Sequence, residues 1–172
     1  FANKKACELA LKAKELSKKN ILIAGSLPAQ NDTYQADKRD QNIIEKDFFD
    51  QASIINPYID FFYLDVISSG REVEVALNVI DKLNKPVLVG LHLKKNGMLP
   101  SGETISETVK KYKNTKWLGV VSACVSLEII EQTVDELKSL DIPFGFKANL
   151  WAVEEPLPVH RFNTAGYNEI GE

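Results

Sequence analysis

The sequence predicts an α/β chain in which a parallel sheet is covered by helices. Three observations carry this reading. Short apolar runs alternate with segments whose apolar residues recur at helical spacing. Each of five such runs is preceded by a helical segment, the alternation that parallel connections require. The runs are apolar at nearly every position, as in strands buried on both faces.

Taken in order, residues 3–18 read as a helix. Ala6, Leu9, Ala10, Ala13 and Leu16 form its apolar stripe, and Lys4, Lys5, Lys12, Lys14, Lys18 and Lys19 its solvated face. Residues 21–24 read as a short buried strand ending at Gly25-Ser26. The polar loop LPAQNDTYQADKRD leads to a helix over 41–56, with Ile43, Ile44, Phe48, Ala52 and Ile55 on one side and Asn56-Pro57 as its stop. DFFYLDVI (60–67) is a strand, followed by a helix over 71–83 built on Val73, Leu77 and Ile80. PVLVGLHL (86–93) is the third strand. In the loop after it, Gly97 and Gly102 serve turns, and ISETVKKYK is a short helix. WLGVVSAC (117–124) is a strand, residues 126–140 a helix on Ile129, Ile130, Val134 and Leu137, and PFGFKANL (143–150) the last strand. Trp117 and Trp151 read as packing residues, with Trp151 also placed to wall a pocket.

The bulk numbers narrow the function. At 172 residues, 44% hydrophobic and 26% charged, the chain has the composition of one globular domain. A net charge of -3 offers no basic field to nucleic acid. No apolar stretch approaches the roughly 18 residues of a membrane span. Two cysteines make no disulfide scaffold, so a reducing cytoplasm is expected. The chain opens on Phe1 rather than Met, which suggests a piece of a longer product.

An alternating α/β chain folds either as an open doubly wound sheet or as a (β/α)8 barrel. Both place ligands at the C-terminal ends of their strands. The notable residues here are Ser26, Asp65, His92, Cys124 and Asn149, all at such ends. No glycine-rich phosphate fingerprint follows any strand. Cys124 reads three ways: an inert small hydrophobe, a nucleophile, or one ligand of a metal site. Asp65 is a loop carboxylate or an anchor for a cationic group. His92 could be simply packed, and Asn149 could simply bridge backbone.

In this order the segments resemble the homocysteine S-methyltransferase family, which includes betaine–homocysteine enzymes and methionine synthase homocysteine domains. ILIAGSLP is similar to the family's A-G-S loop, and DFFYLDVISSGREVEVAL to its D-x-x-x-x-E-T segment and following helix. HLKKNGMLPSGETISETV resembles D-G-x-L-x-S-G-E. LGVVSACVSLEII resembles G-V-N-C-S-x-P-E, and PFGFKANLW the segment with Tyr-Pro-Asn or Tyr-Ala-Asn.

The resemblance implies a (β/α)8 barrel, present here as about strands three to seven with their helices, over residues 1–172 as a partial homocysteine-binding domain. It implies zinc, with Cys124 as one ligand and two further cysteines expected outside this chain. The implied reaction is transfer of a methyl group from a small-molecule donor to the thiol of homocysteine or a related acceptor, giving methionine or an analogue. Asp65, Ser26 and Asn149 are implied as substrate-binding. Three positions depart from the family: Asp65 stands for Glu, Ala123 for Asn, and Ser26-Leu27-Pro28 lacks a glycine before proline. The alternatives are a degenerate, non-catalytic barrel acting as a binding or scaffold protein, and another barrel enzyme using His92 or a strand-end lysine. That enzyme would need a strand-end lysine or paired histidines, and neither is visible in the sequence. A five-strand piece alone is expected to associate and to show no transferase activity, and a homo-oligomer is left open.

Overall fold

The computed structural model describes residues 1–114 and 116–149. Its elements run α1 (Ala2–Ser17), β1 (Ala24–Pro28), α2 (Gln41–Ile55), a 3-10 turn (Asn56–Tyr58), β2 (Phe61–Ile67), α3 (Gly70–Leu83), β3 (Val87–Leu91), α4 (Ile105–Tyr112), β4 (Trp117–Val125), α5 (Leu127–Lys138) and β5 (Phe144–Ala148). All five strands are parallel, and their order in the sheet is their order in the chain.

That order decides between the two architectures left open by the sequence. A doubly wound sheet reverses direction at a switch point and puts helices on both faces. Here each crossover moves one strand onward, and each helix packs on the next, α1 on α2 through to α4 on α5. This is an arc of barrel winding.

The core lies between the sheet and this helix layer. Phe62 and Leu64 of β2 and Val87 and Val89 of β3 are fully buried, against Phe48 and Ala52 of α2 and Val73, Ala76 and Ile80 of α3. Local chemistry starts the helices. Asp40 caps α2 by accepting the Asn42 N–H at 2.8 Å. Ser69 caps α3 through the Glu72 N–H, and Thr104 with Glu107 forms a reciprocal capping box on α4. Gly97 and Gly102 have φ of 75° and 107°, the left-handed turn conformations expected of them.

Two expectations are corrected. The first strand spans Ala24–Pro28, not 21–24, and Gly25-Ser26 lie inside it. Ile21 and Leu22 are exposed, and Asp60 sets the register. Its carboxylate accepts the Ile23 N–H at 2.7 Å, its own N–H donates to the Ile23 carbonyl at 2.8 Å, and the ladder starts at Ala24 opposite Phe61. A Cβ at Gly25 would sit 2.5 Å from the Ile59 Cδ1, so any side chain there would require Ile59 to move. The second correction concerns α1. Its expected stripe is not buried: Leu9 and Leu16 are exposed, and Cys7 is the one buried residue of the helix. Of the stripe, Ala10 is half-buried; Asn3, Cys7 and Lys14 share its side of the helix, and Lys14 reaches Asp60 at 3.2 Å. Trp117 packs in the core as expected, whereas Leu150 and Trp151 lie outside the described residues.

Candidate functional site

Strand alternation divides the sheet into two faces. Gly25, Leu27, Phe62 and Leu64 point to the helices; Ser26, Tyr63 and Asp65 point the other way. On that second face Lys147 of β5 reaches across to Asp65 of β2. Its Nζ lies 2.8 Å and 2.9 Å from the two carboxylate oxygens. In a flat sheet those strands are separated by three spacings, about 14 Å. The ion pair therefore spans a concave surface, as the wall of a barrel provides.

Other groups close around the pair. Lys147 Nζ stands 5.9 Å from the centre of the Tyr63 ring, which itself lies over Gly90, where a Cβ would meet the Tyr63 hydroxyl oxygen at 2.8 Å. The Tyr63 hydroxyl is buried, with no well-formed hydrogen bond among the described residues. Burial, and then the Asp65 charge, raise its pKa well above the phenol range. Burial opposes the charge on Lys147, but Asp65 outweighs it and the Lys147 pKa is raised. Cys124 adjoins Lys147 and also the Tyr34 phenol, which burial and the nearby sulfur push up.

His92 is 3% exposed; its Nδ1 is 3.4 Å from the Ala123 carbonyl, and the Tyr34 ring is 4.6 Å from its own. Burial lowers its pKa, so the imidazole is neutral near pH 7.

Backbone strain marks the same place. Cys124 has φ 55° and Val66 φ 60°, both left-handed, and each coincides with a register shift in its strand. Non-glycine residues avoid that region at a cost of about 1–2 kcal/mol each. The two irregularities lie at the C-terminal ends of β2 and β4 and turn Cys124, half-buried, toward the concave side.

The site residues named from sequence are thus only partly brought together. Asp65, Cys124 and His92 belong to one cluster. Ser26 pairs with Tyr63, one pleat below Asp65, and lines a cavity of about 410 Å³ between α1, β1 and α2. Asn149 follows β5 and donates its N–H to the Val125 carbonyl at 2.8 Å. Sequence reasoning missed Tyr34, Tyr63 and Lys147. Alternation in DFFYLD could have placed Tyr63 on the face of Asp65; Tyr34, in a polar loop, carried no signal. Lys147 corrects an expectation directly, since it is a strand-end lysine.

The loop bearing Tyr34 is anchored on α3. Arg39 binds Asp37 at 2.7 Å and Asp47 at 2.9 Å; the Asp37 N–H reaches Glu72, which also accepts the Ser69 hydroxyl at 2.6 Å. Burial is opposed and outweighed by Arg39 at Asp37, whose pKa is lowered, whereas burial raises that of Glu72.

As to metals, no group of three or more His, Cys, Asp or Glu among the described residues could hold an ion. At the concave face they supply Cys124 as a sulfur donor, the other described cysteine being Cys7 of α1, and this is short of the three or four ligands zinc takes. No helix among them is long and apolar enough to cross a membrane.

Comparison with known proteins adds the following. The family described as homocysteine S-methyltransferase matches residues 2–167. No curated protein matches. Among solved structures, the metallated form of the homocysteine methyltransferase MmuM from Escherichia coli is similar at 17% identity and a TM-score of 0.74, over 87% of this chain and 58% of that one. Its apo form is similar at 15% identity and a TM-score of 0.71, over 86% and 59%. The chain thus spans a little under three-fifths of the solved proteins it resembles.

Proposed function

The chain belongs to the homocysteine S-methyltransferase family, and on that premise we propose that its concave face is the acceptor site of an S-methyltransferase acting on homocysteine or a related thiol. The observation that supports this most is the gathering of Cys124, Asp65, Lys147, Tyr63 and Tyr34 at the strand C-termini, with strained backbone at Cys124 and Val66. Barrel enzymes place chemistry at that end.

The reaction forms an S–CH3 bond from a sulfur lone pair. The donor–CH3 bond breaks, its electron pair leaves with the donor, and the thiol proton passes to water. A free thiol with a pKa of about 8.5 is mostly protonated at neutral pH, so the acceptor has to be ionised first. A zinc ion, if held there, would supply that ionisation as a Lewis acid toward the acceptor thiol. In our reading Cys124 is one of its ligands and the others come from outside the described residues. The chain's own groups orient the acceptor and exclude water: Tyr34 and His92 wall one side, and Tyr63 with the Asp65–Lys147 pair the other. Ser26 and Asn149 border this region as lesser contributors. A cytoplasmic setting suits the two free thiols.

The lysine does not favour a Schiff-base mechanism. Asp65 holds it as an ammonium, and only the neutral amine attacks a carbonyl. A second reading, a non-catalytic binding barrel, draws support from Asp65 and Ala123, which stand where the family carries Glu and Asn. The two are separated by protein expressed from the whole reading frame that encodes this chain, assayed for zinc content and for methylation of homocysteine with sulfonium and quaternary ammonium donors. Stoichiometric zinc and methionine formation are expected. A folded, zinc-free protein that methylates no thiol would establish the binding barrel.

A further inference from the structure

We propose that Lys147 determines acceptor specificity, so that the site selects a thiol carrying a carboxylate in preference to one carrying an ammonium. The inference rests on the acceptor-site reading above and adds the class of acceptor. Among the described residues, Asp65 is the one carboxylate whose contacts place it in the cluster around Cys124, and both its oxygens are already taken by Lys147, at 2.8 Å and 2.9 Å. Paired in this way, Asp65 offers no uncompensated negative charge to recruit a cation. An incoming ammonium would have to displace a lysine tethered to the same sheet, which competes at high effective concentration.

Exposure gives the sign of what can bind instead. The Lys147 side chain is 46% exposed and that of Asp65 20%, so a ligand arriving from solvent meets the cation first. An ammonium has three donors in tetrahedral array, and the approach left open by Asp65 suits an anionic oxygen. Lys147 also adjoins Cys124, so an acid bound there holds its thiol chain beside the sulfur. A short mercaptocarboxylic acid fits these requirements.

The test is ligand-detected NMR binding to the whole-frame protein, wild type and Lys147→Met, with three probes. These are 4-mercaptobutyrate, which has no ammonium; 3-mercaptopropylamine, which has no carboxylate; and homocysteine, which has both. In the wild type, mercaptobutyrate is expected to bind at least tenfold tighter than mercaptopropylamine and to displace homocysteine. Lys147→Met should weaken mercaptobutyrate about tenfold and strengthen mercaptopropylamine, because Asp65 is released. Circular dichroism of the variant confirms that it is folded, and Lys147→Arg, which keeps the charge, should retain the acid preference. Mercaptopropylamine binding as tightly as mercaptobutyrate, an unchanged preference in Lys147→Met, or no binding of any probe would each overturn the inference. Its failure is distinct from that of the methyltransferase reading: methionine formed from homocysteine with no acid preference sinks this proposal alone. Acid-selective binding without methyl transfer from any donor sinks the activity alone.

Discussion

On the helix-facing side of the sheet, Phe62, Leu64, Val87 and Val89 are fully buried among aliphatic and aromatic neighbours, in ordinary strand conformation. One residue along, the same strands turn Tyr63 and Asp65 to a concave surface shared with Lys147, half-buried and charged, beside two residues in left-handed backbone. The first face is organised for stability, the second against it: strain and charge are held there at a cost that the apolar face offsets. The two faces should therefore answer mutation differently, one in stability and the other in binding.

The largest expected effect falls on the apolar face. Phe62→Ala removes a fully buried ring and should lower unfolding free energy by about 3–5 kcal/mol, measured by urea denaturation. A loss below ~1 kcal/mol would mean that the helix layer is loosely packed on the sheet.

Next comes the clamp that ties the Tyr34 loop to α2 and α3. Arg39→Gln leaves the buried Asp37 carboxylate without its cation, and a loss of about 2–3 kcal/mol is expected, less than for a fully buried pair because Arg39 is partly exposed. The pH dependence supplies the sign. The Asp37 pKa is lowered in the fold, so its stabilisation is complete above its ordinary value near ~4 and is lost as pH falls through the folded value. Glu72 acts in the opposite sense. Its pKa is raised, so it penalises the fold at neutral pH, and that penalty is relieved as pH falls through the folded value toward ~4.3. Arg39→Gln should flatten the acid limb of stability, and Glu72→Gln should steepen it, in unfolding midpoints collected from pH 3 to 7.

Smaller effects belong to the concave face. Cys124→Val puts a branched side chain at φ 55° and should cost about 1–2 kcal/mol, whereas Cys124→Gly should be at least as stable as the wild type. The reverse order would show that the backbone there is set by the sulfur rather than by the strand register. Lys147→Met should change stability least, by under ~1 kcal/mol, since the lysine is nearly half exposed.

The same contrast governs what could be read in advance. Apolar spacing reports burial against helices, and it located α2, α3 and α5 with their inward residues Phe48, Val73, Ile80, Ile129 and Leu137. It misled at Ile21 and Leu22, where apolar residues stand outside the sheet and the register is set by the polar Asp60, and at α1, where Leu9 and Leu16 are exposed. Strand ends singled out Asp65, His92 and Cys124, because parallel strands bring their C-termini to one rim. The partners of those residues were not legible. Lys147 meets Asp65 from 82 positions away only because the sheet curls, and Tyr34 arrives on a loop held by Arg39 and Glu72. Curvature and loop anchoring are tertiary properties with no local spacing to announce them.

The central claim is that the concave face serves methyl transfer to a thiol. It is tested most directly by mass-spectrometric detection of methionine formed from homocysteine by the whole-frame protein, wild type beside Cys124→Ala, with each donor class in turn. The expected result is methionine from the wild type with at least one donor and a loss of at least a hundredfold in Cys124→Ala. No methylated thiol from homocysteine or 4-mercaptobutyrate with any donor, or equal formation by the two proteins, would contradict the account.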